Sequence, residues 1–403
     1  NILIVLHAYP AWMLAAVAKG LDNEGAIALR GKNPDFIKNA EVMKLSFVPL
    51  PHNEFYELDL HRPYIDEVTL ISKKGTPLTR TLEVMDVWFD SGSVPFAEDH
   101  YPFENKKWIE GKGFPADYIC EAVDQTRGWF YTLHAIGALM GRGRAFKNVI
   151  CLGLLLDKEG KKMSKSVGNV VNPWEAMDTY SVDALRFWMY SINQPGDSKN
   201  FDEKTVQEVG NKVFNLLDNV VKFFELYKEG TSFSKKVTSK NVLDQWILSL
   251  FGELVEVVTE RLEAYDAFGA SRAIREFIAE LSQWYVRRSR DRFKSEDLKD
   301  REAALLTTRF ILLELSKLMA PFTPFFAENV FQRIRGSKDE LSVHFAPWPK
   351  AGKIDKNLLS SMKLVREAAS RALLAREEAG IKVRQPLQSL TLKQHGLVKE
   401  KKL

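Results

Sequence analysis

Between Cys151 and Val170 the chain reads CLGLLLDKEGKKMSKSVGNV, a stretch that concentrates side chains suited to handling phosphate. An apolar run, Leu152 to Leu156, reads as a buried strand that turns through Asp157-Lys158-Glu159-Gly160 and closes on Lys161-Lys162-Met163-Ser164-Lys165-Ser166. Ammonium and hydroxyl groups on a loop after a parallel strand lie where open α/β sheets bind their ligands. A polyphosphate suits them, because charge developing on phosphate oxygens can be met by a lysine that follows it. By composition alone, such a loop is more often a solvated surface.

A second cluster lies upstream. Phe114 to Cys120 reads as a strand, and a helix is expected from Glu121 to about Met140. Glu121, Asp124 and Gln125 would then share one helical turn at a strand end, able to hold an ammonium group or ribose hydroxyls. Taken singly, Glu121 and Asp124 read more simply as helix caps, worth about 1 kcal/mol.

The elements that must carry these groups are legible in outline. Residues 1–20 suggest a strand leading into a helix, with Pro10 near its start, and residues 1–54 carry no motif. Val68–Ser72 and Leu78–Val84 read as a hairpin around Lys73-Lys74-Gly75-Thr76-Pro77, and the chain after Asp86 is expected to turn on Ser91-Gly92. Helices are expected from Asn172 and near Asp183. From Asp202 the apolar period becomes 3.6: Val206, Val209, Val213, Phe214, Leu217 and Val220-Val221 form one stripe, and Trp246, Leu250, Leu254, Val257-Val258 and Leu262 another. Further bundle helices are expected at about 268–293, 299–319, 323–334 and 356–379, with Pro321 and Pro324 marking a sharp connection, Val343–Pro349 as an apolar plug, and a strand after Gly380.

At 403 residues the chain can hold two or three cores. No apolar run approaches the roughly 20 residues that span a bilayer, and the start lacks a signal peptide's basic residues. Cys120 and Cys151 are too few for a zinc knuckle or disulfide framework, which points to reduced thiols and a cytoplasmic setting. Net charge is only +4, but Arg287-Arg288-Ser289-Arg290 with Arg292, and the run from Lys399, form basic patches suited to a polyanion.

Lys162-Met163-Ser164-Lys165-Ser166 is the KMSKS signature of class I aminoacyl-tRNA synthetases. With ELDLHRPYID (57–66), DVWFDSGS (86–93), HYPFEN (100–105), PADYICEAVDQTRGWFYTLHAIG (115–137) and KMSKSVGNVVNPWE (162–175), the chain resembles the isoleucyl-tRNA synthetases from about Phe55 to Pro386. The valine and leucine relatives carry other strings at DVWFDSGS and DQTRGWF. The resemblance implies an α/β Rossmann-type half-domain over 55–200, an all-α anticodon-binding bundle over 201–350 and a helix-and-strand extension over 351–403. It implies ATP, with Mg²⁺ on its triphosphate, and isoleucine and isoleucine tRNA as substrates, with no zinc site. Lys165 would stabilise charge on the leaving pyrophosphate, assisted by Lys162, with Ser164, Ser166 and Gly153 also at the nucleotide. Glu121, Asp124 and Gln125 would hold the adenylate and its ammonium, and Trp129 would pack on the isoleucine side chain. One methylene is worth only about 1–3 kcal/mol, a limit for which isoleucine against valine is itself the standard illustration. Two positions depart from the family pattern: Ala122, where Gly is usual, and Cys151-Leu152, where bacterial members tend to carry Thr-His.

WYVRRSR (284–290) and AGIKVRQPL (379–387) also match. The arginines there have two readings, ion pairs across the bundle or tRNA phosphate contacts, and Arg287, Arg288 and Arg292 are the candidates. The family pairs KMSKS with a HIGH motif, and residues 1–50 hold no such string. The expectation is a carboxyl-terminal catalytic half without the HIGH half or editing domain, unable to adenylate isoleucine alone, with a separate N-terminal half as a candidate partner. The alternative is a non-catalytic tRNA-binding protein derived from the enzyme.

Overall fold

A computed structural model of the chain describes residues 3–31, 36–45, 51–55, 57–79, 87–229, 238–389 and 391. The chain divides into two compact units, Asn1–Val87 and Trp88–Leu403. In the first, α1 (Ala8–Ala18) buries Trp12 and four alanines, and the Trp12 indole donates to Ala26 O at 2.7 Å in α2 (Asn23–Arg30). No strand precedes α1 among the described residues. The expected hairpin is present but short: β1 (Leu70–Ile71) pairs antiparallel with β2 (Pro77–Leu78). Most of its anticipated return strand, with Asp86, lies outside the described residues.

The second unit opens with α3 (Val87–Ala97), so the segment expected to turn on Ser91-Gly92 is helical. The reason is close packing: a Cβ on Gly92 would meet the Thr132 carbonyl at 2.8 Å, so glycine lets α3 lie against the helix that carries Thr132. After a short α4 (Lys106–Trp108), β3 (Ala116–Ala122) crosses through α5 (Trp129–Leu139) to a parallel partner, β4 (Phe146–Leu152). Phe96, Ile109, Phe114, Ile119, Phe130, Leu133, Ile136 and Ala145 bury one face of this β-α-β unit. Glu121 and Ala122 thus end the strand instead of starting the helix, and a single 3₁₀ turn, Val123–Arg127, intervenes.

The apolar run 152–156 is likewise two strands, not one buried strand. β4 stops at Leu152, β5 (Leu155–Leu156) pairs with β6 (Lys199–Asn200), and Leu152 and Leu155 are exposed. Gly153 makes the break: a Cβ there would sit 2.4 Å from the carbonyl carbon and oxygen of Asp197. Its N–H donates to Pro195 O at 2.9 Å, tying the two strand pairs together.

α6 (Pro173–Tyr180) and α7 (Val182–Ser191) lead into a helical bundle. α8 (Glu203–Val209) continues through a π-helical turn into α9 (Leu216–Tyr227), and the stripe from Val206 to Val221 is buried, as its 3.6 period requires. α10 (Val242–Glu263), α11 (Ala267–Ala279) with its π-helical continuation to α12 (Arg287–Ser289), α13 (Leu298–Met319), α14 (Pro324–Ile334) and α15 (Lys356–Glu378) complete it.

α7 shares the bundle's core through Phe187 and Trp188. It also clasps the Pro321/Pro324 corner. Asp183 accepts from Phe326 N at 2.5 Å at the start of α14, while Arg186 donates to Pro321 O at 3.1 Å and Phe322 O at 3.2 Å beyond α13. Each charge thus meets the helix end of opposite polarity. A second tie runs from the sheet itself, where Tyr118 of β3 stacks on Tyr265 between α10 and α11, centroids 4.6 Å apart.

Two terminal expectations need correction. Val343–Pro349 enters the large core only in part: Val343 is buried in it and Ala346 packs against it, whereas Phe345 is 74% exposed. After Gly380, residues 381–389 form turns instead of a strand, because the Arg376 guanidinium gathers the carbonyls of Lys382, Val383 and Gln385 that a strand partner would need.

Candidate active site and nucleic-acid interface

The phosphate-type loop begins as a tight hairpin. Asp157 N donates to Lys161 O at 2.9 Å, Gly160 N to Asp157 O at 2.9 Å, and the left-handed backbone (φ 77°) falls on Gly160, where it costs nothing. The Asp157 carboxylate accepts from Glu159 N at 3.1 Å and Lys161 N at 2.8 Å. Beyond it, Met163 packs on the large core while Lys162 and Lys165 are exposed. The Ser164 and Ser166 hydroxyls lie 2.8 Å apart and the chain turns back through Val167 and Gly168 onto Ser164 O. Two exposed ammonium groups on a compact turn can address successive phosphates.

Glu121 pairs in register with Cys151 and Ala122 with Leu152, so the acid cluster and Gly153 leave the sheet at the same carboxyl edge. Glu121 and Asp124 are exposed there. The capping role falls to Gln125: its Oε1 accepts from Trp129 N at 2.9 Å, which orients the first turn of α5, and its Nε2 lies 3.4 Å from Asp124 Oδ2. Ala122 has φ −72° and ψ 162°, extended backbone that any residue adopts, so replacing the usual glycine does not strain the strand end. Trp129 is half-buried, and its indole N–H donates to Ser91 O of α3 at 3.0 Å, presenting a fixed aromatic face beside Phe130. That tie joins two strings 38 residues apart and could not be read from either alone.

The three candidate arginines part company. Arg287 and Arg288 are exposed at the end of the π-helical segment, with the Arg288 guanidinium 4.6 Å from the Trp284 ring centroid. Arg292 points inward, its side chain only 11% exposed, and grips Asp244 at 2.7 and 2.8 Å and Asp300 at 2.7 Å. Tyr285 donates to the same Asp244 at 2.8 Å. Burial works against the Arg292 charge, yet the bonds it donates to Asp244 and Asp300 prevail and raise its pKa further.

Among the described residues, no cluster of three His, Cys, Asp or Glu side chains could hold a metal, and no helix is long and apolar enough to cross a membrane. Cys120 and Cys151 are free thiols on adjacent strands; Cys120 pairs with Ile150 and Cys151 with Glu121, so they face opposite sides of the sheet.

Residues 40–202 match the family model for class I tRNA synthetases (I, L, M and V), and 244–391 match that for the anticodon-binding domain of tRNA ligase. The isoleucine–tRNA ligase of Porphyromonas gingivalis is 44% identical over 84% of this chain and 30% of its own length. That of Dehalococcoides mccartyi is 46% identical over 82% of this chain and 34% of its own length, and that of Thermus thermophilus 43% over 84% and 32%. The chain therefore spans about a third of the length of the curated relatives it matches. In fold it is similar to a LeuRS from Agrobacterium radiobacter K84, solved with tRNA and LeuAMS (TM-score 0.54, 18% identity, 72% of this chain and 36% of that one). It is similar also to methionyl-tRNA synthetase from Mycobacterium tuberculosis, solved with methionyl-adenylate (TM-score 0.51, 22% identity, 61% of this chain and 49% of that one). With identity above 40% to these ligases running through both the parallel α/β region and the helical bundle, the chain belongs to the isoleucine–tRNA ligase family of class I tRNA synthetases.

Proposed function

We propose that this chain supplies the KMSKS side of the adenylation site, and the tRNA-binding bundle, of an isoleucine–tRNA ligase. The observation that carries the reading is the intact signature turn with Lys162 and Lys165 exposed, reached through Gly153 and β5 from the end of β4, the strand that pairs with the Glu121–Ala122 end of β3. The isoleucine carboxylate attacks the α-phosphorus of ATP, and the bond to the pyrophosphate oxygen breaks. Negative charge then grows on the β and γ phosphates, where Lys165 and Lys162 stabilise it and the Ser164 and Ser166 hydroxyls donate hydrogen bonds. Mg²⁺ would arrive on the triphosphate oxygens. Glu121, Asp124 and Gln125 hold the ammonium and adenylate, and Trp129 forms the apolar wall against the side chain. The tRNA terminal ribose then takes the acyl group from the adenylate, releasing AMP.

The catalytic region runs over 55–200, the bundle over 201–350, and 351–403 extends it. Arg287 and Arg288 are the proposed phosphate contacts. The test is isoleucine-dependent ATP–pyrophosphate exchange by the 403-residue polypeptide, alone and mixed with the HIGH-bearing half of a related ligase. Exchange in the mixture only is the expected result. No exchange in either, with salt-sensitive binding of isoleucine tRNA intact, would replace this reading with that of a tRNA-binding module.

A further inference from the structure

The signature loop is held by a side-chain clasp that its motif does not include. Asn169 closes it with both ends of one carboxamide. Its Oδ1 accepts from Ser164 N at 2.9 Å, and its Nδ2 donates to Asp157 Oδ2 at 2.7 Å and to Lys162 O at 3.3 Å. Asp157, only 8% exposed, uses its other oxygen on Glu159 N and Lys161 N. One acid and one amide 12 residues apart therefore fix the backbone on both flanks of Met163, whose side chain is seated against the large core. Residues 165–168, by contrast, form an exposed turn in which Ser166, Val167 and Gly168 bond back to Ser164. The loop has an anchored root, 162–164, and an overhanging tip that carries Lys165.

We propose that Asp157 and Asn169 are positioning residues for adenylation, clasping the root of the loop so that Lys162 and the Lys165 tip are aimed at the triphosphate. The proposal rests on the functional reading above. The chemistry at position 169 is restrictive, since the group must accept from one backbone N–H while donating to a carboxylate. An aspartate there would set two carboxylates against each other, and an alanine would leave Ser164 N and Asp157 Oδ2 without these partners. The anionic acceptor makes the Asp157–Asn169 bond charge-assisted, hence the strongest link in the clasp.

The test is an exchange of the two groups. Asn169→Asp and Asp157→Asn each break the donor–acceptor match. Together they restore it with reversed polarity: an amide at 157 still accepts from Glu159 N and Lys161 N and now donates to a carboxylate at 169, which accepts from Ser164 N. Only the long bond to Lys162 O is lost. In the 403-residue polypeptide, hydrogen exchange at the Ser164 amide should quicken in both single variants and slow again in the double one. In the assembly with a HIGH-bearing half, each single variant should lose about 100-fold in kcat for pyrophosphate exchange, the scale of an angstrom-sized misplacement. KM for isoleucine should stay unchanged, and the double variant should regain about tenfold. A double variant no better than the worse single one, or single variants that lose Ser164 protection yet turn over like the wild type, would overturn the proposal. Absence of exchange in the wild-type assembly would instead sink the functional reading, and Ser164 protection would still decide whether the clasp exists.

Discussion

Replacing Arg292 by methionine separates the two readings that the arginine-rich helix invites. The side chain is 11% exposed and its principal partner, Asp244, is 0% exposed. Truncating one member of such a pair typically costs about 3–5 kcal/mol, because the other charge stays buried without compensation. Here the lower end applies. Asp244 keeps two neutral donors, Tyr285 Oη at 2.8 Å and Ser239 Oγ at 2.6 Å, and the second carboxylate, Asp300, is 33% exposed and can be hydrated. A loss of about 3 kcal/mol follows, a large share of the roughly 5–15 kcal/mol that holds a domain folded. Urea unfolding followed by helical circular dichroism should show the midpoint falling, and adding Asp244→Asn should return part of the loss by removing the stranded charge. If Arg292→Met costs less than about 1 kcal/mol while the salt dependence of tRNA binding falls by roughly one ion, the clamp is wrong and Arg292 faces phosphate.

Other outcomes follow from neighbouring geometry. Arg288→Ala should leave the urea midpoint nearly unchanged, since a cation–π contact at an exposed site is worth about 0.5–1 kcal/mol, but should lower the salt slope of isoleucine-tRNA binding by roughly one; an unchanged slope would return Arg288 to the bundle surface. Gly153→Ala drives a methyl into the Asp197 carbonyl, 2.4 Å away, and should cost about 1–3 kcal/mol or more and unpair β5 from β6, visible as faster amide exchange at Lys199, which donates to Leu154 O. Two buried or paired acids should give stability opposite dependences on pH. Burial raises the Asp183 carboxyl above its unfolded value, so its contribution is greatest below about pH 4 and is lost as pH rises through the folded value; stability relative to Asp183→Asn should fall over that interval. The Arg292 bond lowers Asp300, so its contribution is present above about pH 4 and is lost as pH falls through the folded value; the deficit of Asp300→Asn should shrink on acidification. Urea midpoints between about pH 3 and 7 read both, and identical slopes for variants and wild type would refute them.

Local periodicity and local strings determined a good deal. The 3.6-residue stripes from Val206 to Leu262 specify helices whichever neighbours they meet, because an apolar face of that width must be buried, and Asn172-Pro173 starts a helix by supplying its own cap and a preset φ. The signature turn is equally local: Asp157, Gly160 and the residues after them make their bonds within a span of 12 residues. What sequence could not decide is whatever depends on a distant partner. Leu152 to Leu156 has the composition of one buried strand, yet the backbone at Asp197 forces a glycine break within it. Glu121 reads as the start of a helix until its pairing with Cys151 shows that the strand runs two residues further than expected, to Ala122. Arg292 and Arg288 belong to one basic run, but only the fold turns the first inward onto Asp244, 48 positions away, and leaves the second outward over Trp284. Side-chain type sets which bonds a residue can make; the fate of a charge depends on what the rest of the chain brings within about 3 Å of it.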